Sequence, residues 1–160
     1  MIMRFFKYIS VSILSSFFFM QCSSAQKLQE NASFETSPVY FQKWVAGVKG
    51  GGSGINVFIP ITTELKDINL DSLYFRGNMV ALQTKPSSPK LYIGRIIGNA
   101  NQKEGYKSTG DKIPFDLKDN EAVVSYSEKG KIKYFKIENI TEKPMEQFPS
   151  APPRKAKMKE

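Results

Sequence analysis

The chain has 160 residues, 23 Lys and Arg against 15 Asp and Glu, a formal net charge of +8, no histidine and one cysteine. The missing histidine excludes serine–histidine triads and histidine metal centres. The lone cysteine excludes an intramolecular disulfide framework.

Arg4 and Lys7 are the only formal charges before Cys22, and residues 8–20 form an uncharged run rich in Phe, Ile and Val. A short positive region followed by such a run predicts a cleaved export signal over 1–21. As a helix the run would cover about 20 Å, short of the roughly 30 Å hydrocarbon core, so a membrane span is not expected. The boundary reads Phe19-Met20-Gln21-Cys22 and then Ser23-Ser24. These residues resemble the lipid-attachment signal of bacterial lipoproteins in its relaxed, Bacteroidota-type form. The resemblance implies that Cys22 takes a diacylglyceryl group, becomes the first mature residue and anchors the chain in membrane lipid. Plain secretion with a free Cys22 thiol is the alternative. By the same resemblance, Ser23-Ser24-Ala25-Gln26 lacks an acidic surface-export start. That favours the periplasmic face of the outer membrane, with surface exposure as the other option.

Removing residues 1–21 takes away two cations and no acids, so the net charge falls from +8 to +6. That sign suits lipid headgroups, polyanionic glycans or an acidic partner protein. Nucleic acid is not expected as a partner, because an exported lipoprotein rarely meets it. The mature length suits one domain with its own core.

Residues 22–38 are polar and read as a lipidated N-terminus and tether, 39–143 as a β domain, and 144–160 as a Pro-rich basic tail. Residues 39–48 predict a strand, because Tyr40, Phe41, Trp44 and Val45 favour extended backbone. Residues 49–54 break it. Residues 55–61 alternate, with Ile55, Val57, Ile59 and Ile61 on one face and Pro60 marking an edge or bulge. The two strands are expected to pair through the glycine loop. Residues 62–70 read as a polar connection. Residues 71–82 read as strand interrupted at Gly77-Asn78, 83–90 as a loop on account of Pro86 and Pro89, and 91–97 as a strand containing Gly94. Residues 98–111 are polar and glycine-bearing, a candidate binding rim, and 113–117 a short segment that could clamp a sheet edge. The clearest hairpin joins 121–127 to 131–137 through a three-residue turn, Glu128-Lys129-Gly130. That register sets Ser127 against Lys131 and Tyr126 against Ile132, and puts Ala122, Val124, Tyr126, Ile132 and Tyr134 on the core face. The expected fold is all-β, an immunoglobulin-like or related two-sheet, mostly antiparallel sandwich. The mature region also resembles small envelope lipoproteins, a resemblance that carries no catalytic residues.

Candidate sites are few. Lys49, Gly50, Gly51, Gly52, Ser53 and Gly54 read first as a hairpin loop and second as a ligand or anion loop. A nucleotide loop needs its lysine after the glycines and a helix behind it, whereas here Lys49 comes first and a strand follows. Arg154, Lys155, Lys157 and Lys159 could contact a polyanion. Asp111, Asp116, Asp119 and Glu121 are spaced too irregularly for a calcium loop. No catalytic residue, metal site or cofactor is expected. The leading expectation is an envelope lipoprotein whose domain binds a protein or glycan partner. A small carboxylate hydrolase and a structural component without a discrete ligand are the alternatives.

Overall fold

The computed structural model describes residues 26–105 and 113–148. They form nine strands and no helix: β1 Leu28–Gln29, β2 Tyr40–Ala46, β3 Ser53–Pro60, β4 Ile68–Phe75, β5 Asn78–Lys85, β6 Ser88–Ile97, β7 Ala122–Glu128, β8 Lys131–Ile137 and β9 Thr141–Phe148. One sheet runs in the order β1-β8-β7-β4-β5-β6-β3-β2-β9. Strand β5 belongs to both halves: residues 78–81 pair with β4, and Leu82, Gln83 and Lys85 pair with β6. Opposite Thr84, β6 bulges, so that Lys85 pairs with Ser88 but Gln83 already pairs with Ile93. Pro89 lies in this bulge and cannot donate to a ladder, while the Lys90 carbonyl turns to accept from Ile61 N at 2.8 Å. The sheet folds over here, and its halves face one another. Phe41 of β2 meets Phe75 of β4 at 5.4 Å although three strands lie between them in the sheet. The fold is thus the all-β sandwich expected, made from one continuous sheet. Its two outermost pairings, β1 with β8 and β2 with β9, are parallel, and the rest are antiparallel.

Two turns have the conformation that right-twisted hairpins favour. Arg76 and Gly77 have φ of 47° and 75°, and Lys129 and Gly130 have φ of 50° and 74°. Positive φ at both central residues defines the two-residue primed turn. The β7–β8 turn is therefore one residue shorter than the sequence suggests, and the register shifts by one. Glu128 pairs with Lys131, Ser127 with Ile132, Val124 with Phe135 and Ala122 with Ile137. A one-residue shift moves a whole strand to the other face. Phe135 and Ile137 take the core side, and Ile132 is left 66% exposed. The expected sharing of a core face by Ile132 and Tyr134 is overturned. Tyr134 instead packs outside with Tyr74 and Phe115, so that residues 113–117 cover the outer face of one half rather than clamp its edge. Two further boundaries move: β4 begins at Ile68, inside the expected polar connection, and β5 and β6 run through 83–90 except at Pro86-Ser87.

The tether and the tail are both partly built into the fold. Phe34 is 5% exposed and meets Tyr126 at 5.2 Å and Phe135 at 6.1 Å, both edge-on. Ser37 N donates to the Pro60 carbonyl at 3.0 Å and Thr62 N to that of Glu35 at 3.0 Å. Residues 28–38 thus dock against β8 and the end of β3, and do not act as a free tether. At the other end, β9 reaches Phe148 and takes residues 144–148 from the expected tail. Pro144 is tolerated because β9 is an edge strand. The β2–β9 register skips between Gln42 and Trp44, where Pro144 sits, and Gln42 Nε2 donates to the Pro144 carbonyl at 2.8 Å.

Glu121 is buried yet charged. Its carboxylate accepts from Lys118 N at 3.0 Å and pairs with Lys136 at 2.9 Å. The backbone bond from Lys118 and then the Lys136 ammonium hold this carboxyl below its ordinary value. A carboxyl lowered on folding stabilises the fold above its unfolded value, near 4.5, and loses that contribution as pH falls through the folded value. Stability is expected to be flat in this respect above about pH 5 and to fall below it. Glu121→Gln should flatten that acid limb in urea melts taken from pH 7 to pH 3.

Candidate binding groove at the glycine loop

Strands β2 and β3 pair through the glycine loop, as the sequence suggests, with Trp44 directly opposite Gly54 and Val45 opposite Ser53. The missing side chain at Gly54 lets the indole lie across the strand. A Cβ there would sit 2.8 Å from Trp44 Nε1 and 2.2 Å from the Ile96 carbonyl. An aromatic residue placed over a glycine in this way shields the ladder beneath. Trp44 also meets Phe148 of β9 edge-on at 6.2 Å.

Asn101 shapes the loop. Its Oδ1 accepts from Gly50 N at 2.9 Å. Its Nδ2 donates to the carbonyls of Ala46 at 2.9 Å and Val48 at 3.0 Å. Its own carbonyl accepts from Gly52 N at 2.6 Å, and Gly51 N donates to Val48 at 3.1 Å. Three consecutive loop N–H groups therefore end on the protein's own oxygens. An anion cradle needs such groups free, and here Gly50, Gly51 and Gly52 offer none. Ser53 Oγ donates to the Ala100 carbonyl at 2.6 Å, so this hydroxyl serves to tie the loop to residues 98–102. Asn101→Ala removes side-chain partners from four backbone groups, the three above and the Gly52 carbonyl, to which Nδ2 also donates at 3.4 Å. It should cost about 1–3 kcal/mol and accelerate amide exchange at Gly50 in particular, read by hydrogen-exchange mass spectrometry.

Beside the loop lies an open groove of about 480 Å³. Val45, Ile55 and Met145 give it an apolar floor, with Lys43, Ser53 and residues 98–100 around them. Lys43 is paired with Glu142 at 2.8 Å. Four exposed apolar side chains, Val48, Ile97, Met145 and Phe148, gather at this end of the molecule. The candidate rim read at 98–111 does reach the glycine loop through its described part, 98–105. Trp44 lies here, Tyr92 packs on the core and Tyr106 is outside the described residues. So are Cys22, Asp111 and the tail cations Arg154, Lys155, Lys157 and Lys159.

The described carboxylates with displaced acidity, Glu121 and Glu128, are both held low, Glu128 chiefly by its bond from Lys133. That favours the ionised partner of a lysine, the reverse of a carboxyl kept protonated for acid catalysis. No group of three or more Cys, Asp or Glu able to hold a metal occurs among the described residues. Sequence reasoning missed Met145 and Phe148, since nothing in a charged, proline-bearing stretch marks an edge strand. It also missed Asn101, whose role depends on contacts with residues about fifty positions away. Compared with protein-family models, with curated proteins and with solved structures, the chain matches none.

Proposed function

We propose that this protein is a lipid-anchored envelope protein, held through Cys22, whose sandwich domain binds a protein or glycan partner at the glycine-loop groove without catalysis. The observation that carries the binding reading is the groove itself. It combines an apolar floor, an adjoining Trp44–Phe148 pair and neighbouring polar groups already bonded within the protein. Such a site favours ligands that present a flat or apolar surface over ligands that must be bound as anions. The export signal and Cys22 carry the anchoring reading and the outer-membrane, periplasm-facing address.

Trp44 is the only tryptophan, so its emission reports on the groove alone. Peptidoglycan fragments titrated into the full mature protein serve as the glycan probe. A photo-cross-linking residue at position 145, in cells, serves for protein partners. A saturable change in Trp44 emission, or one reproducible cross-linked partner, is expected, and Met145→Glu should abolish the emission change or the partner's co-purification. Emission insensitive to every fragment together with no cross-linked partner would count against binding at this groove.

A further inference from the structure

The N-terminal segment leaves the fold at a defined place. Strand β1 runs parallel to β8, with Leu28 opposite Tyr134 and Gln29 opposite Phe135. Because the pairing is parallel, β1 begins on the side where β8 begins, next to the β7–β8 turn. Five residues lie between Cys22 and Leu28, at most about 20 Å of extended chain. Because residues 28–38 are docked, a lipid on Cys22 would hold the domain by this end and at short range.

The surface at that end has the chemistry of a headgroup contact. Ile132 is the most exposed large apolar side chain among the described residues. Lys27, Lys129 and Lys131 are exposed around it. Lys129 N donates to the Asp67 carbonyl at 3.4 Å, which brings exposed Lys66 to the same tip. The acids nearby are Glu128, already bonded to Lys133, Glu64, already bonded to Lys90, and exposed Asp67 and Glu30. With those two ion pairs set aside, four exposed lysines outnumber two exposed acids. A basic patch beside a lipid anchor adds the second attraction that makes membrane attachment firm.

We infer that the β7–β8 turn is the membrane-facing surface of the domain, seated on anionic phospholipid headgroups, with Ile132 entering the interface. This rests on the Cys22 anchor. The groove shares no residue with this surface and stays open to its partner while the domain is seated.

Full-length lipidated protein is placed in vesicles of phosphatidylethanolamine and phosphatidylglycerol, or of phosphatidylcholine alone. A fluorophore is attached at Ile132→Cys or at Lys49→Cys, and a headgroup-bound quencher reports proximity. The expected result is strong quenching at 132 and little at 49 in the anionic vesicles. Lys129→Gln and Lys131→Gln should each lower the seated population about fivefold, and raised salt should do the same. Urea midpoints of these surface variants should match the parent and so exclude unfolding as the cause. Equal quenching at both positions, or quenching at 132 indifferent to lipid charge and to both lysines, overturns the inference while the anchor stands. Protein that does not associate with vesicles, and whose Cys22 reacts with maleimide, overturns the anchor and this inference with it.

Discussion

Phe34→Ala is expected to destabilise the domain by about 3–5 kcal/mol, the range for truncating a fully buried aromatic. Phe34 lies in a stretch that looks like a linker, between polar neighbours and ahead of the first long strand. In the fold its ring sits edge-on to Tyr126, which is itself completely buried, and to Phe135. No neighbouring chain can fill the space a methyl group would leave, because residues 35–37 are pinned by backbone bonds to the end of β3 and the segment after it. Urea unfolding should show a lowered midpoint with an unchanged slope. A shift within about 0.5 kcal/mol, as for an exposed linker residue, would mean that the segment is not part of the core. The same reasoning sets the minimal domain. A chain that starts at residue 39 should be much less stable than one that starts at residue 26.

Gly54→Ala is the second large effect, about 3 kcal/mol or more, at the upper end of overpacking costs. The methyl would meet the Ile96 carbonyl at 2.2 Å and Trp44 Nε1 at 2.8 Å. The indole could swing away, but the carbonyl belongs to β6 and cannot move without opening the β3–β6 ladder. The change should therefore appear twice: as a lower melting temperature, and as a red shift of Trp44 emission when the ring loses its seat. Gly77→Ala provides the contrast. Nothing lies within 4 Å of a Cβ at Gly77, so its cost comes only from the positive φ of its turn.

The interior strands could be read directly. The alternation Ile55, Val57, Ile59, Ile61 and the pairing through the glycine loop appear in the fold as expected, because a half-buried strand must alternate. The β7–β8 hairpin was legible in kind but not in register. Glu128-Lys129-Gly130 is compatible with a two- or a three-residue turn, and only the left-handed φ of Lys129 decides between them. The edges were least legible. β9 carries Thr141, Lys143, Pro144 and two glutamates, the residues that keep an exposed edge from pairing with other chains. Those same residues make it look like a tail. β1 is two residues long and gains its place from Phe34, several positions away. The groove inherits this difficulty, since Met145 and Phe148 come from β9 and the loop is held by Asn101, each distant in sequence from Trp44.

The bulge in β6 illustrates the same point. Pro86 and Pro89 signal a loop to local reasoning, yet Pro86 forms a two-residue turn and Pro89 sits where the ladder is already broken. Beyond the bulge β6 lies between β5 and β3, pairing with both at Ile93 and Gly94, and the passage of β5 from β4 to β6 folds one sheet into two facing layers. Gly94 follows on the inner side, where a Cβ would fall 2.4 Å from a methyl of Leu73. Close approach at that point, more than flexibility, accounts for the glycine.

In the proposed reading, the groove, the docked N-terminal segment and the basic β7–β8 tip all serve a domain anchored through Cys22. Cys22 therefore bears the greatest weight. The direct measurement compares the full-length protein with Cys22→Ser for incorporation of labelled fatty acid and for membrane fractionation. Lipid label and membrane sedimentation for the wild type, both lost in the variant, is the predicted result. Wild type and variant alike unlabelled and soluble would contradict it.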